Sequence, residues 1–261
     1  MQIIQLEKFQ SINANYQRDG LSEKYCFVPT TRVINTLVEH GWQPVKANEV
    51  RARKHKIGFQ KHLIRFRQDD GRQYQKDDII PEIVLFNSHD GSASFQISAG
   101  LFRMICANGL VVADSTFKTH RIKHLGYREE DVSLAIENVI KNTPRIMNKV
   151  EQFKEISLSK DEQMIYLDSA LLVKYNEEQL KSIPSKELFL KPLRQEDAAL
   201  TLWNTYNSIQ EKFINGFSFR DGNRYNKIRK NRGISNISEN VRINKALWQL
   251  AEKMAEIKAA A

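Results

Sequence analysis

The side chains best suited to chemistry gather near the middle of the 261-residue chain, where His89-Asp90 precede Asp114, His120 and His124. Imidazole and carboxylate groups ligate divalent metals, so metal-dependent nuclease chemistry is one option for these residues. No two of them fall in a recognised ligand spacing, however, and His-Asp is also what a hairpin tip favours. Cys106 with a distant histidine would make a nucleophile pair. It follows the apolar Ile105, though, and Cys26 lies between Tyr25 and Phe27. Such contexts predict two buried, reduced thiols rather than a disulfide or a metal pair. Gly91 and Gly100 are too far apart to cradle a phosphate, and no Gly-Lys-Ser/Thr sequence occurs, so nucleotide hydrolysis is not expected. The sequence therefore nominates no catalytic residue, no metal ligand and no cofactor.

Charge is the stronger signal. Forty Lys and Arg against 31 Asp and Glu give a net charge of +9, a balance that favours a polyanionic partner, nucleic acid before an anionic membrane surface. The excess is concentrated. Lys46, Arg51, Arg53, Lys54, Lys56, Lys61, Arg65 and Arg67 are opposed only by Glu49. Alternation on adjacent strands would set several of them on one sheet face, as a groove tracking a phosphate backbone requires. A second cluster, Arg220, Arg224, Lys227, Arg229, Lys230 and Arg232, is interleaved with Phe217, Phe219 and Tyr225 in Gly- and Asn-rich sequence. It predicts a mobile arm between two helices whose rings, Tyr225 above all, stack on bases. Lys118, Arg121 and Lys123 add a third patch. The alternative for each patch is a solvated surface.

These residues must be positioned by a core, and residues 81–115 give its clearest pattern. Ile83 to Phe86 form an unbroken apolar run expected of a central strand, and Asp90-Gly91 supplies a tight turn. Alternation of Ala93, Phe95 and Ile97 with Ser92, Ser94, Gln96 and Ser98 predicts the hairpin partner. Leu101 and Ile105 have helical spacing, so Gly100 to Cys106 is predicted as a helix stopped at Asn108-Gly109, with a strand from Leu110. Upstream, residues 1–22 predict an N-terminal arm and Tyr25 to Val28 a short strand. A helix capped by Thr30 or Thr31 follows, with Val33, Ile34, Leu37 and Val38 as its stripe and Gly41 as its stop. Residues 42–53 and 59–67 predict two strands, and in the second His62, Ile64 and Phe66 alternate with Lys61, Leu63, Arg65 and Arg67. Residues 117–124 predict a further basic strand.

From Asp131 the period changes to helical. Val132, Ala135, Ile136, Val139 and Ile140 precede Pro144, and Ile146, Met147, Val150 and Phe153 resume the stripe, predicting one kinked helix or two. Ser159 and Glu162 form a capping box for a helix carrying Met164, Leu167 and Leu171. After a linker-like stretch at 176–197, helices are predicted at 198–215 and 238–258. The fold class is thus α+β: an antiparallel sheet core with packed helices over residues 1–128, then a helical region over 129–258. Ala259 to Ala261 carry no argument. No apolar run approaches the roughly 20 residues of a bilayer span, and the N-terminus lacks the plan of a signal peptide. A cytoplasmic protein without membrane contact is expected.

The segments FQKHLIRFR, LFNSHDGSASFQISAGLFRMICANGLVVADSTF, DEQMIYLDSALLVKY and GISNISENVRINKALWQLAEKMAE together resemble an uncharacterised prophage and plasmid family, the domain of unknown function 932. The resemblance runs from about Tyr25 to Glu256. Leu193-Arg194 stand where the family tends to have a doubled arginine before Glu196-Asp197. The resemblance implies a mobile-element protein and no transferable activity. Small basic proteins of that origin without an ATPase motif commonly handle DNA in recombination or replication, or else blunt host defence. Together with a helix and basic antiparallel sheet similar to the core of Rad52-like and phage single-strand annealing proteins, it implies a single-stranded DNA binding and annealing protein that forms rings or filaments and needs no ATP. An anti-defence or regulatory protein binding a host protein or nucleic-acid complex, and the metal nuclease, stay open.

Overall fold

A computed structural model describes residues 4–71, 73, 78–104, 108–111, 120–122, 129–181, 183, 185–220 and 227–260. The fold is α+β, as its sequence pattern requires. The chain divides into two compact units, one made of Met1–Val112 with Phe117–Pro144 and the other of Arg145–Ala261 with Ala113–Thr116. The division thus falls at Pro144, within a helix.

The first unit is an antiparallel sheet. Strands β1 (Trp42–Glu49), β2 (His62–Gln68), β3 (Ile79–Asn87), β4 (Phe95–Arg103) and β5 (Asn108–Val111) lie in that spatial order, and β6 (His120–Ile122) pairs with the first residues of β4. Helix α1 (Thr30–Glu39) packs on β1 and buries Val33, Ile34 and Leu37. Strand β3 sits at the centre with Ile83, Val84, Leu85 and Phe86 all buried, as its apolar run demands. The N-terminal arm follows the edge of β1 through a hydrogen bond from Ile4 N to Pro44 O at 3.1 Å. Residues 25–28 form no strand.

Over Gly100 to Arg103 the predicted helix is instead the continuation of β4. Gly100 faces Glu82, Leu101 faces Pro81, and Phe102 faces Ile80. Two apolar residues four apart fit a helix, but a nine-residue central strand leaves a row of backbone groups that need a partner of equal length. The sheet's demand for hydrogen bonds overrides the local spacing. Asn108-Gly109, expected to stop that helix, begin β5 instead. Residues 105–107 lie outside those described, and with them Cys106.

The second unit is helical. The helix α2 (Glu129–Glu155) runs through Pro144. Helix α3 (Lys160–Lys174) starts at the expected capping box, with Ser159 accepting from Glu162 N and Glu162 from Ser159 N. After the short α4 (Glu177–Lys181), α5 (Leu202–Asn215) contacts both α3 and α6 (Ile237–Ala260). Almost every α5 side chain is buried, including Asn207, Gln210, Glu211 and Lys212. Several of these polar groups are paired: Gln210 donates to Asn244 at 2.7 Å, and Thr205 accepts from Gln163 at 2.7 Å. A buried amide without such a partner would be costly.

The second basic cluster is not a loop between helices. It contains a hairpin of β7 (Gly216–Arg220) and β8 (Ile228–Arg232), with Ser218 opposite Lys230 and Arg220 opposite Ile228. Two glycines close its base. Gly216, at φ 73°, caps α5, and a Cβ there would overlap the carbonyl oxygen of Asn231; Gly233 approaches the carbonyl of Ile214 as closely. Gly41 also has positive φ, at 81°, but open space around it. Gly41→Ala should therefore cost only the left-handed backbone penalty of about 1–2 kcal/mol, whereas Gly216→Ala adds a clash with backbone that cannot move aside. Urea titrations of the two variants should show the Gly216 loss clearly larger, and equal losses would refute the close approach.

Candidate nucleic-acid interface

The first basic cluster divides into a buried pair and an exposed run. Alternation does put Arg65 and Arg67 on one face of β2, but Glu82 of β3 lies on that same face. Glu82 is 1% exposed. A carboxylate so placed needs compensating charge, because burying an isolated ion costs far more than a fold can supply. Arg65 Nη1 donates to its Oε2 at 2.6 Å and Arg67 Nε to its Oε1 at 2.8 Å. Arg65 is itself 6% exposed, and Arg67 lies over the Phe102 ring at 3.8 Å. Gly109 leaves the room, since a Cβ there would meet Arg65 Cζ at 2.5 Å. The charge of Arg65 is thus spent inside the sheet. Ser98, expected on a wet face, is buried as well.

The exposed run is Lys46, Arg51, Arg53 and Lys54, followed by the half-exposed Lys56. A short 3-10 helix, Lys54–Lys56, carries the last of these charges, and the neighbouring Ile57 is 45% exposed. Glu49, the acid inside this run, is occupied by Ser11, whose N–H and Oγ donate to it at 3.1 and 2.8 Å. Lys56 reaches Asp90 at 3.5 Å. Lys61 is half-buried.

In the second cluster the hairpin has two distinct sides. Phe217, Phe219 and Asn231 share one side by register. Phe217 packs on Phe189 at 5.0 Å between ring centroids, Phe219 on Phe217 at 5.8 Å, and Tyr175 Oη donates to Asn231 Oδ1 at 3.0 Å. The two phenylalanines expected to stack on bases are therefore packed against protein. Beneath them Lys212, 2% exposed, donates to the carbonyls of Phe189 and Lys191. Lys174 donates to Phe213 O at 2.9 Å. Burial draws both ammonium pKa values down to about 8. The base of the neighbouring helix is held by Arg194, which forks onto both Glu211 oxygens at 2.7 and 2.6 Å.

The opposite side of the hairpin carries Arg220, Ile228, Lys230 and Arg232, all exposed, with Lys227 beside them. Ile228 is 70% exposed and escaped attention in sequence, although strand alternation alone sets it on the side of Lys230 and Arg232 rather than that of Arg229. Arg224 and Tyr225 lie outside the described residues, as do Lys118, Lys123, Asp114 and His124. Arg121 and His120 belong to β6, opposite Gln96 and Ile97.

Of the histidines that suggested a metal site, His89 is held by partners within the protein. His89 is fully buried beside His62, with ring centroids 5.3 Å apart. The two bond to one hydroxyl, that of Thr30, at 2.9 Å from His62 Nε2 and 3.2 Å from His89 Nε2. His62 Nδ1 faces the Gln60 carbonyl at 3.2 Å and so carries the proton. Its Nε2 must then accept from Thr30, leaving the hydroxyl to accept from Asn87 Nδ2 at 3.1 Å and from His89. Thr30, expected to cap α1, makes no cap bond and is the hub of this cluster. Asp90 turns away to Ser92. Burial works to raise the Asp90 pKa, but bonds from Ser92 and Ser88, with Lys56 nearby, hold it below the usual carboxylate value. Among the described residues no group of three His, Cys, Asp or Glu is placed to hold a metal ion, and no helix is long and apolar enough to cross a membrane.

Fold and surface together define a basic α+β protein with an exposed cationic run on its sheet unit and a cationic hairpin on its helical unit. The chain belongs to the family described as domain of unknown function DUF932, which it matches over residues 19–248. It is similar to the UPF0380 proteins YafZ and YfjQ of Escherichia coli (strain K12), each 31% identical over 248 residues that span 94% of this chain and 87% of the relative. No solved structure matches at a significant level. None of these names assigns an activity.

The Thr30 cluster makes stability depend on pH. Burial first, then the neighbouring His89, lowers the His62 pKa from 6.5 to about 3. Below pH 6.5 the unfolded chain takes a proton that the native state refuses, so native stability should fall by about 1.4 kcal/mol per pH unit down to about pH 3 from this group. Urea titrations at pH 7 and pH 5 should show a loss that is smaller in His62→Gln, and the same pH slope in both proteins would exclude His62 as its source.

Proposed function

We propose that the chain binds single-stranded DNA through its exposed basic surfaces and promotes pairing of complementary strands without a nucleotide cofactor, in the recombination of a mobile element. The observation that carries this reading is the β7–β8 hairpin. Between Lys212 and Glu239 the sequence has six cations, Arg220, Arg224, Lys227, Arg229, Lys230 and Arg232, against the single acid Asp221. A charge run on a solvated loop would need no scaffold, yet Arg220, Arg229, Lys230 and Arg232 are mounted on a two-stranded ribbon, one side of which is pinned to Phe189 and Tyr175. Pinning presents the cations at fixed spacing, which lowers the ordering cost of gripping a phosphate backbone.

Such contacts fall on phosphates and carry no base preference. The bases of the bound strand stay available for pairing, and cations between two polyanionic strands reduce the repulsion that slows annealing. No bond is made or broken. A homo-oligomer, as a ring or filament, would extend the cationic track along the strand and raise affinity through linked contacts. The exposed run Lys46, Arg51, Arg53 and Lys54 offers further cations for such contacts.

Fluorescence anisotropy with a labelled single strand, repeated over a potassium chloride series, tests this. Binding should weaken linearly in log–log form, and Lys230→Gln with Arg232→Gln should flatten the slope by about 0.7 per charge removed. Pairing of complementary strands should quicken when the protein is added without ATP. A protein that leaves single strands unbound at low salt would end the proposal.

A further inference from the structure

We propose that Ile228 is an apolar wedge that enters between neighbouring bases of a bound single strand while Lys230 and Arg232 hold its phosphates. The inference rests on the single-strand reading and assigns the hairpin's outer side a binding mode of its own.

Ile228 is 70% exposed at the start of a cationic strand, opposite Arg220 and on the same side as Lys230 and Arg232. A β-branched residue in a strand is ordinarily buried on one side of it. Here the side that packs on protein is occupied by Phe217, Phe219 and Asn231, so burial within the hairpin does not account for Ile228. Its surroundings decide the partner. A protein-binding patch has several apolar residues in contact with one another, whereas the residues sharing this side, Arg220, Ser218, Lys230 and Arg232, are cationic or polar. A single apolar side chain ringed by cations is complementary to a nucleic acid, whose phosphates are anionic and whose base faces are apolar. Isoleucine is among the side chains that proteins insert between base steps.

The spacing agrees. Side chains on one side of a strand recur every two residues, at about 6.6–6.8 Å. Two nucleotides of a stacked strand rise by about the same distance, at roughly 3.4 Å each. Ile228, Lys230 and Arg232 therefore keep step with every second nucleotide of a strand lying along β8.

Ile228→Ser removes the wedge without altering charge, and Ile257→Ser, at a 62% exposed isoleucine of α6, controls for loss of any surface isoleucine. Binding to fluorescein-labelled single-stranded DNA should weaken about tenfold in Ile228→Ser, as expected for losing the burial of one aliphatic side chain. The salt slope should not change. In a strand carrying 2-aminopurine, the wild-type protein should raise the fluorescence by unstacking the base, and Ile228→Ser should not; Ile257→Ser should behave as wild type in both assays. Wild-type affinity and fluorescence in Ile228→Ser would overturn the wedge and leave the single-strand reading standing. Failure of the wild-type protein to bind at low salt would remove both.

Discussion

A carboxylate shut inside the central strand governs the sheet unit. Glu82 has almost no contact with water, so two guanidiniums must reach it, and they come from Arg65 and Arg67 on the adjoining strand. That requirement fixes more than charge. It holds β2 and β3 in one register, because a slip by one residue would carry both arginines to the other face and leave Glu82 unpaired. It calls for a glycine at 109, where a side chain would displace Arg65. It also withdraws two cations from the surface and leaves the exposed charge of the first basic cluster on β1 and the segment after it.

The helical unit solves a related problem. Helix α5 is buried along nearly its whole length while carrying Asn207, Gln210, Glu211 and Lys212, and each needs a partner because unpaired polar groups in a low-dielectric interior are expensive. Arg194 meets Glu211, Asn244 meets Gln210, and backbone carbonyls of Phe189 and Lys191 meet Lys212. Those carbonyls belong to the segment that also presents Phe189 to the hairpin. The polar pairing that makes α5 tolerable in the interior thus secures the platform on which the basic hairpin rests. Arg220, Lys230 and Arg232 reach solvent on the side of the ribbon that faces away from Phe189.

Buried histidines at the mouth of the β3–β4 connection are organised around a neutral hydroxyl. One donor and two acceptor positions of Thr30 Oγ1 satisfy His62, His89 and Asn87 together, an arrangement that works only while His62 is uncharged. His89, nominated for its type beside Asp90, is engaged by the Thr30 hydroxyl.

What the sequence determined by itself are features whose cause is local. The apolar run at Ile83 to Phe86, the capping box at Ser159 and Glu162, and Val33, Ile34 and Leu37 in the stripe of α1 follow from side-chain type and period and are found where the sequence put them, whereas Val38, also expected in that stripe, is 37% exposed. Only the tertiary structure decided that residues 100–103 extend a strand, that Arg65 faces inward, that Phe217 and Phe219 pack on protein, and that Thr30 is a hub rather than a cap. Each of these depends on a partner distant in sequence: β3 for β4, Glu82 for Arg65, Phe189 for Phe217, and His62 with His89 for Thr30. Periodicity reports which side of an element is apolar. It does not report which buried polar group is waiting opposite, and the cost of leaving such a group unpaired is what settles the choice.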